Sequence, residues 1–342
     1  MELTTRVRLT SLIELCRVMR HNLSAGLTLR HVFNQQATRG PVGVRPIADR
    51  ISQKLQEGES LQDALEEEKA HFPPLFTSLV TVGEKSGALP EVFEELERYF
   101  ALQLRLKRQF LQQIAWPVIQ FFLAPFVIAG MILVLSILGS NFDPLGFGLT
   151  GVSGAIKFLA GWFGTIGLLV AGYFVMTRTL RQQVVVDEFL LRVPVVGPCL
   201  RAMAMTRFCM ALRLTMETGM SIAKAMKLTL RATANSAFEA RIDQVVDAVK
   251  GGEDLTEALK HTGIFSGDFL DILANAEESG RVVEVMERQA KFYEEESTRR
   301  MTILTHVASK GVYLIIAGIL IFLIFRIFSI YTGLYDPKKY GL

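Results

Sequence analysis

Two stretches of this chain are copies of one another, and that limits the folds open to it more than any other feature. LCRVMRHNLSAGLTLRHVF, beginning at Leu15, aligns with FCMALRLTMETGMSIAKAM, beginning at Phe208, and Gly26 and Gly219 set the offset at 193 residues. Self-similarity at a fixed offset marks one structural unit used twice. In the first copy Leu12, Cys16, Met19 and Leu23 stand at i, i+4, i+7 and i+11, and Met205, Cys209, Leu212 and Met216 repeat that spacing. It is the apolar stripe of an amphipathic helix. Gly26 and Gly219 then fall where such a helix is expected to end in a left-handed residue, which glycine adopts at little steric cost. Thr28 and Ser221 are placed to cap the helix that follows.

The match continues downstream. EGESLQDAL around Ser60 pairs with GGEDLTEAL around Asp254 after a shift of one residue, and Ser60 with Asp63, like Asp254 with Glu257, has the spacing of a capping box. VGEKSGALPEVFEEL and NAEESGRVVEVMERQ return to the offset of 193, matching Glu84 with Glu277, Ser86 with Ser279 and Gly87 with Gly280. Gly87 and Gly280 are expected to serve as helix ends. Glu84 and Glu277 each precede a helix C-terminus, where the macrodipole disfavours an anion. Each carboxylate therefore needs a partner (a buried Arg, a backbone amide or a cation), and Ser86 and Ser279 belong to the same polar contact. Too few oxygen ligands can be assigned for a calcium site. Each copy reads as six helices, the last running toward an apolar segment.

Crossing a bilayer takes about 20 apolar residues in a helix. Residues 117–138 carry no charge, with Trp116 at their start as an interfacial residue; Pro117 suits a first helical turn and Pro125 is expected to kink the span. Residues 158–177 form a second uncharged run, and a third follows Lys310 and passes Arg326 to reach Tyr331. Arg105, Lys107 and Arg108 precede the first run, Arg178 and Arg181 follow the second, and Arg299, Arg300 and Lys310 precede the third, whereas 139–156 has neither Lys nor Arg. Lys338 and Lys339 in the tail weigh the other way, but three signals outweigh one. The positive-inside rule then puts both large charged regions in the cytoplasm.

The expected fold class is an all-α membrane protein with two repeated six-helix cytoplasmic bundles and three transmembrane helices. The bundles occupy 1–112 and 178–308, the spans 113–138, 157–177 and 309–331, the outer loop 139–156 and a short periplasmic tail 332–342. A chain half apolar yet 21% charged suits that alternation.

Several function classes drop out. A net charge of +3 without a basic, aromatic-interleaved patch gives no footprint for nucleic acid. Cys16, Cys199 and Cys209 have no framework spacing and read as small apolar residues in a reducing compartment. The charged first twenty residues do not read as a cleavable signal peptide, so internal segments are expected to direct membrane insertion. GFGLTG at 146–151 matches a dinucleotide fingerprint in form only, because no strand precedes it. The five histidines lack ligand spacing, and no phosphate-binding loop, HExxH or nucleophile constellation occurs, so neither an enzyme nor a bound cofactor or metal is expected. Glu91, Glu94, Glu95 and Glu97 read as a solvated face, with a docking surface for a basic partner as the sharper option.

With these residues in order, the chain resembles the inner-membrane platform family of type II secretion and type IV pilus systems, the F or PilC proteins. The resemblance rests on the twin Gly-turn helices, the Glu-x-Ser-Gly pair at Glu84 and Glu277, Trp116-Pro117, and the linker DEFLLRVPVVGPCLRAMAMTRF with Asp187, Pro194, Gly197, Arg207 and Phe208. It implies a non-enzymatic platform in the bacterial inner membrane, serving a type IV pilus (type IVb systems included) or a type II secretion machine. It further implies a hexameric assembly ATPase, prepilin or pseudopilin subunits, other inner-membrane assembly proteins, membrane lipids and further copies of the chain as partners. The two bundles would form a lever between motor and bilayer, and joining them by a disulfide is expected to stop assembly. The rival readings are an oligomeric membrane transporter and a membrane-anchored ligand sensor. Three spans without an ionisable group in the first two count against the transporter.

Overall fold

The structure, a computed structural model, describes residues 6–137, 150–174 and 183–334, and every regular element among them is a helix. The first copy consists of α1 (Leu9–Ser24), α2 (Leu29–Arg39), α3 (Arg45–Glu57), α4 (Leu61–Glu67), α5 (Pro74–Ser86) and α6 (Leu89–Ile137). After α7 (Gly151–Phe174) and α8 (Gln183–Arg192) come α9 (Val196–Glu217), α10 (Ile222–Ala232), α11 (Ser236–Glu239), α12 (Ile242–Lys250), α13 (Leu255–Lys260), α14 (Gly267–Glu278) and α15 (Val282–Leu334). At the repeat offset, α1 to α6 answer to α9, α10, α12, α13, α14 and α15, with the four-residue α11 extra to the second copy. Gly26, Gly87, Gly219 and Gly280 have φ of +83°, +73°, +66° and +67°, the left-handed conformation that ends a helix and would strain any residue with a Cβ.

The chain divides into two compact units: Met1–Gln109 with Asp187–Arg300, and Phe110–Val186 with Met301–Leu342. Both repeats thus belong to one unit. Around its first core Phe72 stacks on Phe76 with centroids 4.7 Å apart, and Leu12, Cys16, Met19, Phe93 and Phe100 close over them. Ala211, Leu214 and Leu228 of the second copy are buried in that same core. A second core gathers Phe208, Phe238, Phe265 and Phe269, with Phe208 and Phe265 5.0 Å apart. Because the copies share buried side chains, they pack as one compact unit and not as two separate bundles.

The link into the second copy is sharp. The axes of α8 and α9 differ by 115°, and between them Val196 N–H donates to Pro194 O at 2.9 Å around Val195, at φ +72° and ψ −46°. This is a γ-turn of the rare positive-φ kind. Gly197 follows because a Cβ there would lie 2.2 Å from Leu191 O. Asp187 then accepts from Ser236 N–H at the start of α11 (2.8 Å), and Glu188 pairs with Arg241 at 3.2 Å, fixing α8 on the second copy.

Among the described residues three helices are long and apolar enough to cross a membrane, with the apolar windows in α6, α7 and α15; counting the bent α8–α9 pair would make four, but α9 is largely buried in the cores just described. Ile128, Ala129 and Ile132 of α6 bury Ala155 of α7, and Phe122 stacks on Phe163 at 6.1 Å. Helix α6 passes unbroken through Pro117 and Pro125, so Pro117 lies inside the helix and not in a first turn. Apolar helices tolerate proline where neighbouring groups re-satisfy the freed carbonyls. Helix α7 begins ahead of Lys157, which lies within it. Residues 138–149, 175–182 and 335–342, with Arg178, Arg181, Lys338 and Lys339 and most of the GFGLTG segment, lie outside the described residues.

Candidate functional site: twin carboxylate clasps and the junction of the repeats

The short helices α4 and α13 begin with amide groups that have no partner within the helix. In the first copy Glu84, near the end of α5, turns back so that one carboxylate oxygen accepts from Leu61 N–H at 2.7 Å and the other from Gln62 N–H at 2.8 Å. In the second, Glu277 accepts from Leu255 N–H at 2.7 Å and from Thr256 N–H at 3.0 Å, and the Thr256 hydroxyl donates to it at 2.8 Å. An anion out of place at the C-terminus of one helix sits at the positive N-terminus of another, held by charge-assisted hydrogen bonds. Ser221 makes no side-chain cap, and the two expected capping boxes are met only in part. Asp254 makes no side-chain cap, and Ser60, which accepts from Asp63 N–H at 3.1 Å, donates its hydroxyl to the Asp63 carboxylate at 2.6 Å and leaves the box open.

Ser86 and Ser279 do something more local. Their hydroxyls donate to the carbonyls of Val82 (3.0 Å) and Asn275 (2.7 Å) one turn back in their own helices. Gly87 and Gly280 supply the reversal that brings α6 and α15 back along α5 and α14. Next to the first, α5 and α6 approach so closely that a Cβ on Gly83 would meet Val92 at 2.8 Å. Among the described residues no three His, Cys, Asp or Glu side chains converge where a metal ion could be held.

The glutamate run of α6 has a different role from the solvated face expected of it. Glu97 pairs with Arg17 at 2.8 Å and Arg20 at 3.3 Å, tying α6 to α1. Glu95 reaches across the repeats to Arg213, only 9% exposed, which also pairs with Glu217 at 2.9 Å. Arg98 braces the same cluster from Glu94 (2.7 Å) and Glu95 (2.9 Å), and Arg105 crosses to Glu294 at 3.0 Å. Tyr99 is fully enclosed at this junction, its hydroxyl 3.5 Å from Ala232 O, and burial pushes it up to about 12. Burial also holds Arg207 below the ordinary arginine value. Beside Glu95, Leu79, Val82, Val92 and Leu214 line a cavity of about 320 Å³ rimmed by Glu91 and Glu217.

Sequence reasoning missed this junction, although a signal existed. At the offset of 193, buried Leu214 answers to exposed His21, on the helix face that also carries Ala211. A helix face apolar in one copy and polar in the other marks the face that one copy alone has covered.

The family model described as "Type II secretion system (T2SS), protein F" matches twice, over residues 15–137 and 208–330. The chain is 26% identical over 317 residues to the type II secretion system protein F of Aeromonas hydrophila, covering 89% of this chain and 81% of that one. It is 25% identical over 274 residues to the type IV pilus assembly protein PilC of Pseudomonas aeruginosa, covering 77% and 73%. Against the PilC of Thermus thermophilus the figures are 27% over 314 residues, 87% and 76%.

Proposed function

Since the chain belongs to the type II secretion system protein F family, we propose that it is a non-enzymatic, multi-pass platform in the bacterial inner membrane. In this reading it couples a cytoplasmic assembly ATPase to the insertion of pilin or pseudopilin subunits into a fibre. The observation that carries the reading is helix continuity. Each repeat ends in a helix, α6 of 49 residues and α15 of 53, that starts in the bundle unit and continues as an apolar segment long enough to span a bilayer. A displacement of the bundle unit would be passed along both helices to the membrane. Arg105, Lys107 and Arg108 on α6, and Arg299, Arg300 and Lys310 on α15, support a cytoplasmic side for the bundle unit under the positive-inside rule. There a motor can reach it.

The test is a mild-detergent pull-down of the tagged chain from its native membrane, read by mass spectrometry. Recovery of an assembly ATPase together with a prepilin-like subunit is expected, and the subunit identifies the machine. An intact, oligomeric preparation that brings down neither would remove the reading.

A further inference from the structure

We propose that the exposed face of α10 bearing Lys224, Lys227 and Arg231 is a docking site for an acidic helical segment of a partner protein. The three residues stand at i, i+3 and i+7, so they share one face of the helix. With Lys69, Thr77 and Ser78 they line an open cleft of about 390 Å³ where α10 of the second copy lies against α5 of the first. All three are exposed, and none has a carboxylate at ion-pairing distance among the described residues. Glu66 on the rim is already held by Lys69 at 2.6 Å. Glu239 feels the charge of Arg231 without pairing with it.

The repeat provides an internal control. At the offset of 193 the same positions on α2 are His31, Asn34 and Thr38. The packing of α10 comes mainly from its other side, through Ala225, Met226, Thr229 and Leu230. The fold therefore does not require three cations here, and like charges at this spacing repel one another. The choice of occupant follows from dimensions. Lys224 and Arg231 are about 10 Å apart along the axis at 1.5 Å per residue. That is too long for one phosphate group, but it matches carboxylates at i, i+4 and i+7 on a helix lying alongside. The cleft gives such a helix a wall of hydroxyls and aliphatic stems. This inference goes beyond the platform reading and stands without it, since it needs only the folded bundle unit.

The experiment uses the full chain in detergent and two fluorescent helical peptides, one with Glu and one with Lys at i, i+4 and i+7, followed by anisotropy. Wild type is expected to bind the Glu peptide and not the Lys peptide, with affinity falling as salt rises. The triple variant Lys224→Glu, Lys227→Glu, Arg231→Glu should lose at least tenfold in affinity for the Glu peptide and gain the Lys peptide. Asn34→Glu, on the corresponding face of α2, should change neither. Lys227→Ala alone, expected to weaken the Glu peptide severalfold, keeps the test open should the triple variant fail to fold. Unchanged affinity in the folded variants overturns the proposal. So does a wild type that ignores the peptide yet binds phosphatidylglycerol vesicles or pyrophosphate through these residues, which would make the face a site for lipid headgroups or free phosphate.

Discussion

Glu84 and Glu277 each take the place of water as acceptor for two backbone N–H groups, with a carboxylate in fixed geometry, and hydrogen bonds to a charged group contribute about 1.5–3 kcal/mol each. Glu277→Ala should therefore lower the unfolding free energy of the full chain by about 3 kcal/mol, with Glu84→Ala close behind because it lacks the third bond from a threonine hydroxyl. Ser86→Ala, which gives up a bond within one helix, should cost under about 0.5 kcal/mol. Denaturant titration in detergent separates the two classes, and equal losses would mean the clasps hold nothing. The Arg50 guanidinium, 2.5 and 2.7 Å from the two oxygens of buried Glu68, holds that carboxyl below its ordinary value near 4.5. A depressed folded-state value contributes stability that is present above pH 4.5 and fades as pH falls through the lower value. Arg50→Ala should cost about 2 kcal/mol at neutral pH, and the loss relative to wild type should shrink as the medium approaches pH 3. A gap that stays constant with pH would sink this assignment.

At the scale of elements, the turn between α8 and α9 carries the most local strain. Val195 is a β-branched residue at positive φ, a conformation that costs on the order of 1–3 kcal/mol and persists only where its surroundings enforce it. The enforcement comes from Gly197, whose missing Cβ lets Leu191 O approach, and from the bonds of Asp187 and Glu188 to the second copy. Gly197→Ala should destabilise by about 3 kcal/mol, since the obstacle is backbone and cannot step aside. Limited proteolysis should then cut first near residue 195, and an unchanged digestion pattern would mean the turn relaxes freely. Nothing in PVVGP announces a γ-turn, whereas the helices around it were readable. The stripe through Leu12, Cys16 and Met19 is buried as its spacing implies, and the left-handed glycines stand where the apolar periodicity stops. What the sequence hid was partnership. The amide groups that receive Glu84 belong to the backbone and leave no mark on residue identity. Glu95 looks like its neighbours in a run of acids until Arg213 arrives from the other copy, 118 residues away.

For the whole molecule the question is whether the two repeats are two domains or one. Leu214 of the second copy is 2% exposed and belongs to the core built by the first copy's phenylalanines, and the Arg213–Glu95 pair lies one residue away. Leu214→Asp would bury an unpaired carboxylate in a shared core, and its cost of several kcal/mol must be borne on both sides of the junction. Hydrogen exchange on the full chain resolves where. If the repeats form one cooperative body, amide protection should fall in α5 and in the bundle part of α6 as much as in α9, because local stability is distributed by cooperative unit and not by position along the chain. Faster exchange confined to residues 196–260 would instead make the second copy a domain of its own, and a sliding junction between the copies would return as the moving part. Under the proposed function, a fall shared by both copies leaves α6 and α15 as the routes by which a force on the bundle unit would enter the bilayer. Substitutions that break either helix between its bundle part and its apolar part should then uncouple the machine while leaving the bundle folded.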